Sequence, residues 1–575
     1  MTVRRRTHPA RGLTELEQIR GTYGPGAAAR KRALVAALGR ARLTNAAQIR
    51  RLHESLVFLC AYPDDGAIRH DCETVLAQFA ARPDVRRFRS ALVDSGIAGT
   101  DIHYRFFWFT AQWLLRRWPA HLSVDWPEFS NRAELGNLWR ILLPASESAA
   151  LDDIERSPRA WLDTFRGPDE TDAAFLIRRF SALPADAFTV EHLYERLDPP
   201  LVLRGGPAPN AGAPALPSRS TGRARRLPVV YRTRPFERTR PDLRRALRMP
   251  LAGGRDVPER EAQSLIDLAR EAMITRSRDL DSFEHGDPRD VRLIDCGGGL
   301  QFACIGLIPE RRALLDGIYG YLTLQSGVPT GYVLASALFQ SAFVAYNVFE
   351  TFRGAEAAAV YARVLAMLHA QFGATAFAID PYQLGHDNAE GQKSGAWWFY
   401  YKLGFRPVDP VVQARARQEL ARLRADPRHR STRATLQALA AAPLFLHARR
   451  ERRDIMGRLS LGHASLHISA ALAARAGGDR EAAIEAALQD ATRLLGARAP
   501  RRSDAARRLA WERWAPLVLV LPGVRRWPGS DLQDLARVID AKGGRRESEF
   551  VLAFDRHARL RRAVATLAHT IPPTA

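Results

Sequence analysis

The sequence predicts an α+β protein in which a domain with a mixed sheet lies between two all-helical domains. Apolar residues recur with helical spacing from about Thr14 to Leu197, and the same pattern returns after Pro410. Between these regions, short apolar runs bounded by glycine and proline predict strands. A chain of 575 residues is too long for one hydrophobic core, so several domains are expected.

Residues 1–198 are predicted to form the first all-helical domain. In one stretch Ile49, Leu52, Leu56 and Leu59 are spaced so that they share one face of a helix. Proline or glycine separates the other amphipathic stretches. This region therefore predicts helices packed on one another.

Residues 199–250 are predicted to be an interdomain linker. Gly205-Gly206-Pro207 begins a run rich in proline, alanine and glycine, and eleven arginines follow between Arg219 and Arg248. Such a composition cannot bury enough apolar surface to fold alone. The arginines have two interpretations, a solvated connector or a non-specific contact with nucleic acid, and we favour the connector.

The chain as a whole is strongly basic, with 85 Lys and Arg against 62 Asp and Glu and a net charge of +23. Nearly all of this charge is arginine, and it is spread along the chain. A genome-wide bias towards arginine explains this distribution better than a defined anionic site does. Nucleic acid is therefore a possible partner but not the favoured one.

The four cysteines, Cys60, Cys72, Cys296 and Cys304, have no metal-type or CxxC spacing. No disulfide framework and no metal are therefore expected. The basic N-terminus lacks the apolar segment of a secretory signal, and no apolar run approaches the ~20 residues that span a bilayer. These features predict a cytoplasmic protein without a membrane partner. The oligomeric state is not predicted.

Residues 251–410 hold the strand signals. Pro258 is placed to open a helix that runs to about Thr275. Val291–Asp295 and Leu300–Leu307 then predict two strands joined by a tight turn of three glycines. A helix from Arg311 to about Leu324 is expected next.

A second hairpin is predicted from Val333–Phe339 and Ala342–Phe352. A long helix follows, beginning at Arg353-Gly354 and ending at Gly373. Thr375–Asp380 predicts a short buried strand, and a loop then leads into a short helix that ends at Gly404. After Pro410, residues 411–575 are predicted to form the second all-helical domain.

Two strings in this order of elements resemble motifs of the GNAT superfamily of acyl-CoA N-acyltransferases. The first is Phe352-Arg353-Gly354-Ala355-Glu356-Ala357-Ala358 with the helix after it, and the second is Tyr400-Tyr401-Lys402-Leu403-Gly404-Phe405. The resemblance covers residues 258–410. It implies transfer of an acyl group from acetyl-CoA or another acyl-CoA to an amine on a small molecule or peptide.

The resemblance also implies roles for individual residues. The string Phe352-Arg353-Gly354-Ala355-Glu356-Ala357-Ala358 would present backbone N–H groups to the CoA pyrophosphate at a helix N-terminus. Tyr400 lies where the family has the general acid that protonates the departing thiolate. Glu350 is a candidate proton relay, and Asp380, Asn388 and Trp397 are candidates for the acceptor side. For Glu350 and Asp380 the alternative is a helix cap or an ion pair, and for Trp397 it is a core position.

Glu356 stands where the family's phosphate loop has its first glycine, and its carboxylate would compete with a phosphate for the field of the helix. This departure keeps two alternatives open. One is a non-catalytic helical scaffold with a degenerate transferase fold, and the other is an arginine-driven nucleic-acid-binding protein. A variant of the enzyme hypothesis uses another activated donor, such as an aminoacyl-tRNA.

Overall fold

The computed structural model describes residues 9–206, 215–220, 222–224, 226–237, 239–476 and 478–571. Helices predominate in these residues, and most strands belong to one large mixed sheet. The described chain divides into two compact units. The helical unit is drawn from Met1–Phe236, Gln263–His285 and Leu324–Thr330, and the sheet unit from Glu237–Ala262, Gly286–Thr323 and Gly331–Ala575.

The helices are mostly amphipathic, and many begin at an Asp, Asn, Ser or Thr cap. In the first 200 residues they are α1 (Pro9–Ile19), α2 (Pro25–Arg40), α3 (Ala46–Ala61), α4 (Gly66–Ala77), α5 (Pro83–Arg87), α6 (Trp108–Arg117), α7 (Arg132–Leu142), α8 (Ala145–Ser148), α9 (Ala150–Asp153), α10 (Pro158–Phe165), α11 (Asp172–Ser181) and α12 (Ala187–Leu197).

The later helices are α13 (Leu243–Ala246), α14 (Glu259–Ile274), α15 (Asp281–Glu284), α16 (Ala357–Phe372), α17 (Pro381–Leu384), α18 (Ala389–Ser394), α19 (Ala396–Lys402), α20 (Pro410–Ala425), α21 (Arg433–Leu439), α22 (Gly462–Ala476), α23 (Arg480–Leu494), α24 (Ala505–Val520), α25 (Gly529–Lys542), α26 (Glu547–Arg556) and α27 (Ala558–His569). Among the described helices, none is long and apolar enough to cross a membrane.

The strands are β1 (Ile102–Tyr104), β2 (Leu122–Val124), β3 (Leu201–Leu203), β4 (Gly253–Asp256), β5 (Gly286–Asp295), β6 (Leu300–Leu307), β7 (Gly317–Gln325), β8 (Val328–Leu338), β9 (Ser341–Val348), β10 (Ala376–Ile379), β11 (Arg406–Pro407) and β12 (Leu444–His447). They form a three-stranded sheet of order β1-β3-β2 and a nine-stranded sheet of order β11-β12-β10-β9-β8-β7-β6-β5-β4.

The small sheet corrects the prediction that residues 1–198 are all-helical. Strand β3 pairs antiparallel with both β1 and β2, and it comes from the segment 199–250 that the sequence assigned to a linker. Each of these strands has three residues. Strands of three residues are too short to show the alternation of apolar and polar residues that predicts a strand. They form because they pair with distant residues.

The described part of the predicted linker is also more ordered than a solvated connector. Arg223 forms an ion pair of 2.6 Å with Glu73, and Arg219 one of 3.2 Å with Glu54. The Arg232 amide donates to a backbone carbonyl of the helical unit at 2.8 Å. These contacts therefore fix the segment within the helical unit. Residues 207–214 of the proline- and glycine-rich run lie outside the described residues.

The large sheet contains the predicted hairpins. Strands β5 and β6 pair antiparallel around Gly297, Gly298 and Gly299, whose φ angles of 78°, 63° and 80° lie in the left-handed region that favours glycine. Strands β8 and β9 pair antiparallel from Gly331–Val348 to Leu338–Ser341. The next strand, β10, pairs parallel with β9 after the crossover through α16.

Two predictions around this sheet are wrong. The segment from Arg311 to Leu324 is not a helix, because a short 3₁₀ turn at Pro309–Arg311 is followed by strand β7. Eight of the nine β7 residues, all except Ile318, are buried, so both faces are covered and the strand shows no alternation. Residues 411–575 are not all-helical either, because β12 lies between β10 and β11.

The C-terminal helices share one hydrophobic core with the large sheet rather than forming a core of their own. Trp511 and Trp514 of α24 and Phe550 of α26 are buried in the same cluster as Tyr319 of β7. The indole of Trp514 also donates to the Leu314 carbonyl at 2.9 Å. The contiguous domains expected from the sequence are thus replaced by units assembled from separate segments.

All four cysteines are buried thiols without disulfide bonds. Burial raises the pKa of Cys296 to about 12 and raises that of Cys304 further, so the reactive thiolate is disfavoured in both.

We expect the native protein to react with a thiol reagent at least about 100-fold more slowly than the unfolded chain, since labelling requires local opening that costs about 3 kcal/mol or more. Absorbance on adding an aromatic disulfide, with and without guanidinium, measures this ratio. Rapid labelling of even one thiol in the native protein would contradict the buried assignment.

Candidate active site

A cleft opens in the sheet unit where the parallel strands β9 and β10 separate. The two strands pair only along Ser341–Phe343 and Ala376–Ala378. Beyond this point β9 continues to Val348 and remains paired with β8, whereas β10 ends at Ile379. The edge of β9 from residue 344 to 348 therefore no longer pairs with β10. A backbone edge of this kind offers hydrogen-bonding groups to a bound molecule.

The cleft at this position holds about 1130 Å³ of empty space, part of which is open to solvent. The end of β9, the turn before α16, and helices α17 to α19 form its walls. Its lining residues are Tyr346, Asn347, Val348, Arg353, Gly354, Ala357, Gln383, Asn388, Glu390, Gly391, Lys393, Ser394, Ala396, Phe399 and Tyr400.

Tyr400 lines the cleft, although its side chain is almost fully buried. Its ring is held by edge-to-face contacts with Tyr361 at 5.4 Å and Phe405 at 5.7 Å. Burial raises the pKa of Tyr400 well above its ordinary value, and a hydrogen bond with the Tyr346 backbone offsets this only in part. The group is therefore neutral near pH 7 and has a proton to donate, and the raised pKa also makes it a weaker acid than an exposed tyrosine.

Arg353 and Glu390 form an ion pair at the rim of the cleft. The Arg353 Nε also donates to the Val348 carbonyl at 3.3 Å. Both side chains keep about two-fifths of their surface exposed, at 42% and 44%. Lys393 lines the same cleft, so two cations and one carboxylate face it. An anionic ligand would compete with Glu390 for Arg353.

The first turn of α16 also faces the cleft. The helix begins at Ala357, and no side chain caps its N-terminus. The first N–H groups of a helix have no partner within the helix, and they attract negative charge. Gly354 precedes this turn with φ of 90°, a conformation that disfavours other residues. The Tyr346 hydroxyl donates to the Ala357 carbonyl at 3.3 Å and so ties β9 to the helix start.

Glu356 does not line the cleft, although the sequence places it in the phosphate loop. Its carboxylate accepts a hydrogen bond of 3.2 Å from the Glu237 amide. The Glu356 carboxylate is thus directed towards Glu237. It therefore competes less with a bound phosphate than its position in the sequence suggests.

The structure brings together only some of the residues proposed from the sequence. Tyr400, Arg353, Gly354, Ala357 and Asn388 line the cleft. Phe352, Ala355, Glu356 and Ala358 flank the same turn without lining it, and Glu350, Asp380 and Trp397 do not line it either. Thus the proposed acid and three of the seven proposed loop residues converge, and the proposed proton relay does not.

The three remaining residues have structural roles or solvated positions. Glu350 is exposed on a short 3₁₀ turn. Asp380 is exposed and caps α17 by accepting from the Tyr382 amide at 2.8 Å. Trp397 is fully buried and stacks on Tyr401 with ring centroids 4.9 Å apart. Asp380 is therefore a helix cap and Trp397 a core residue, which are the alternatives that the sequence left open.

Sequence reasoning missed most of the polar lining. Gln383, Glu390, Lys393 and Ser394 come from the loop and short helices between β10 and α19. A signal was present, because this segment is polar and stands between a buried strand and the Tyr400 helix.

Around the cleft, the described side chains form no cluster with the spacing of metal ligands. Asn388 is used locally, since its side chain accepts from the Gly391 amide at 3.1 Å.

Comparison with protein-family models, curated proteins and solved structures finds no match for the chain. The function proposed for the chain therefore follows from the geometry of the cleft and from the motif resemblance.

Proposed function

We propose that the sheet unit has an acyl-CoA N-acyltransferase-like fold and transfers an acyl group from an acyl-CoA to an amine. One observation carries the proposal: Tyr400 and the end of β9 line one cleft, beyond the point where β9 stops pairing with β10 and next to the N-terminus of α16. Such a cleft suits a thioester with a phosphate-bearing tail. The end of β9 lies beside the reacting end, and the helix terminus is available to the anionic end.

In the proposed reaction, the thioester lies beside the end of β9 that does not pair with β10. A backbone N–H polarises its carbonyl, and the amine nitrogen attacks the carbonyl carbon to give a tetrahedral oxyanion. The carbon–sulfur bond then breaks, and the departing thiolate takes the Tyr400 proton. The amine proton passes to water, and the Tyr400 phenolate then takes a proton from water, which restores the acid.

The anionic end of the donor has three favourable partners. Arg353 and Lys393 supply positive charge, and the uncapped first turn of α16 supplies backbone N–H groups. Glu390 is paired with Arg353 in the absence of a ligand. We therefore expect donor binding to exchange this ion pair for one between Arg353 and a phosphate.

Arg353→Ala is expected to weaken acetyl-CoA binding about 10-fold, because a hydrogen bond to a charged group contributes about 1.5 kcal/mol at the lower end of its range. The lower end applies since Arg353 is 42% exposed. Glu390→Gln is expected to strengthen binding by up to about 5-fold, because breaking a surface ion pair costs at most about 1 kcal/mol. Isothermal titration calorimetry with acetyl-CoA and longer acyl-CoAs measures both.

Arg417→Ala is the matched control, because Arg417 is exposed on α20 and does not line the cleft. It should leave the affinity unchanged. Absence of acyl-CoA binding by the wild-type protein, with no difference between the Arg353 and Arg417 variants, would favour the non-catalytic scaffold instead.

A further inference from the structure

Glu191, Glu284 and His285 converge inside the helical unit, separate from the cleft described above. Glu191 lies on α12, Glu284 is the last residue of α15, and His285 follows it directly. One potential ligand atom from each lies within 4.8 Å of the other two. The His285 Nε2 is 3.6 Å from a Glu191 oxygen and 3.5 Å from Glu284 Oε2.

This cluster is hidden from solvent. The side chains of Glu191, Glu284 and His285 are 10%, 1% and 5% exposed. Buried carboxylates require compensation by a positive charge or by hydrogen bonds. Two carboxylates share one imidazole here, and Glu284 Oε2 has no hydrogen-bond partner although it is directed into the cluster. The distances of 3.5 and 3.6 Å are also longer than ordinary hydrogen bonds.

The same distances fit three ligands around one ion. Zinc binds imidazole nitrogen and carboxylate oxygen at about 2.0–2.2 Å in tetrahedral geometry, which separates neighbouring ligand atoms by roughly 3.3–3.6 Å. The separations of 3.5 and 3.6 Å match this spacing. An ion at their centre would contact Glu284 Oε2, the atom that otherwise has no hydrogen-bond partner.

The surroundings hold the ligand groups in place. The second oxygen of Glu284, Oε1, accepts from the Phe109 amide at 2.8 Å, which leaves Oε2 directed into the cluster. The Phe109 ring packs edge-on against the His285 ring at 5.0 Å. Arg270 donates to the Glu284 carbonyl at 2.6 Å and thereby fixes the backbone between the last two ligands. Such supporting contacts orient ligands at metal sites.

We propose that Glu191, Glu284 and His285 bind one divalent transition-metal ion, with Zn²⁺ as the first probe. Imidazole with two carboxylates suits Zn²⁺, Fe²⁺ or Mn²⁺ better than Ca²⁺ or Mg²⁺, which prefer oxygen ligands only. The ion joins α12 to α15. Because the three side chains are buried, the ion would stabilise the helical unit rather than contact a substrate.

The test uses the full-length protein after treatment with a chelator and dialysis. Calorimetric titration with Zn²⁺ is expected to show one equivalent bound by the wild type that Glu284→Gln binds at least 100-fold more weakly. Thermal unfolding should shift to higher temperature when one equivalent of Zn²⁺ is added to the wild type, and not when it is added to the variant. Circular dichroism checks that the variant is folded.

Glu195→Gln is the matched control, because Glu195 lies on α12 four positions after Glu191, outside the cluster, and loses the same charge. It should retain the bound equivalent, and Glu191→Gln should lose it. Two results would overturn the proposal. One is a chelated wild type that neither binds Zn²⁺ nor gains thermal stability, which would mean that the cluster is held by a shared proton. The other is equal Zn²⁺ binding by the wild type, Glu191→Gln and Glu284→Gln, which would place the ion elsewhere.

Discussion

Tyr400→Phe is expected to lower kcat for acyl transfer by about 10²- to 10⁴-fold, the usual contribution of a general acid. The variant keeps the ring that packs on Tyr361 and Phe405 and loses only the hydroxyl that donates the proton. Affinity for acetyl-CoA should change little, because the acid acts on the departing thiolate. The measurement is release of free CoA from acetyl-CoA in the presence of a panel of amines.

Tyr401→Phe makes the same chemical change one residue away. Tyr401 does not line the cleft, and its ring packs on Trp397 and lies under Arg406, with 4.2 Å between the guanidinium carbon and the ring centroid. It should retain full activity. A thiol reagent can follow the reaction, since the protein's own four cysteines are buried. Equal activity of the wild type, Tyr400→Phe and Tyr401→Phe would remove Tyr400 from the mechanism.

Lys542→Met is expected to lower the free energy of unfolding by about 3–5 kcal/mol, because it leaves a buried carboxylate without its partner. The Lys542 ammonium donates to Glu547 at 2.6 Å and to the Asp316 carbonyl at 2.9 Å. The two side chains are 5% and 0% exposed. Since Asp316 directly precedes β7, the pair fastens α25 and α26 to the large sheet. Urea unfolding monitored by circular dichroism measures the change.

Arg537→Met is the control for this variant, because Arg537 lies on the same helix and forms an exposed ion pair with Asp534. It should cost less than about 1 kcal/mol. The double variant Lys542→Met with Glu547→Leu should regain part of the stability, since it removes both buried charges. A loss below about 1 kcal/mol for Lys542→Met alone would show that water reaches Glu547.

The elements that local chemistry specifies were predictable. The glycine turn between β5 and β6 follows from three successive residues that tolerate positive φ, and α16 ends at Gly373 with φ of 66°. The turn between β8 and β9 was placed within one residue. A short motif marks the position of Tyr400, and the structure places this residue among those that line the cleft.

The elements that depend on partners were not predictable. Strand β12 has four residues and follows α21, yet it pairs with β10 from Ile379–Leu444 to Ala376–His447. Strand β7 is buried on both faces, so its apolar run was mistaken for a helix. The opposing charges Arg353 and Glu390 are 37 residues apart and meet only because α18 folds back towards the start of α16.

The sequence by itself determined the turns, the helix ends and the position of the motif tyrosine, because these depend on neighbouring residues. Tertiary structure alone decided which segments share a core, where the parallel strands separate and which acids pair with which bases. Those features depend on contacts between residues far apart in the chain, whose free energy is gained only when the partners meet. The Glu191–Glu284–His285 cluster is of this second kind, because two adjacent ligands become a possible metal site only when α12 supplies the third.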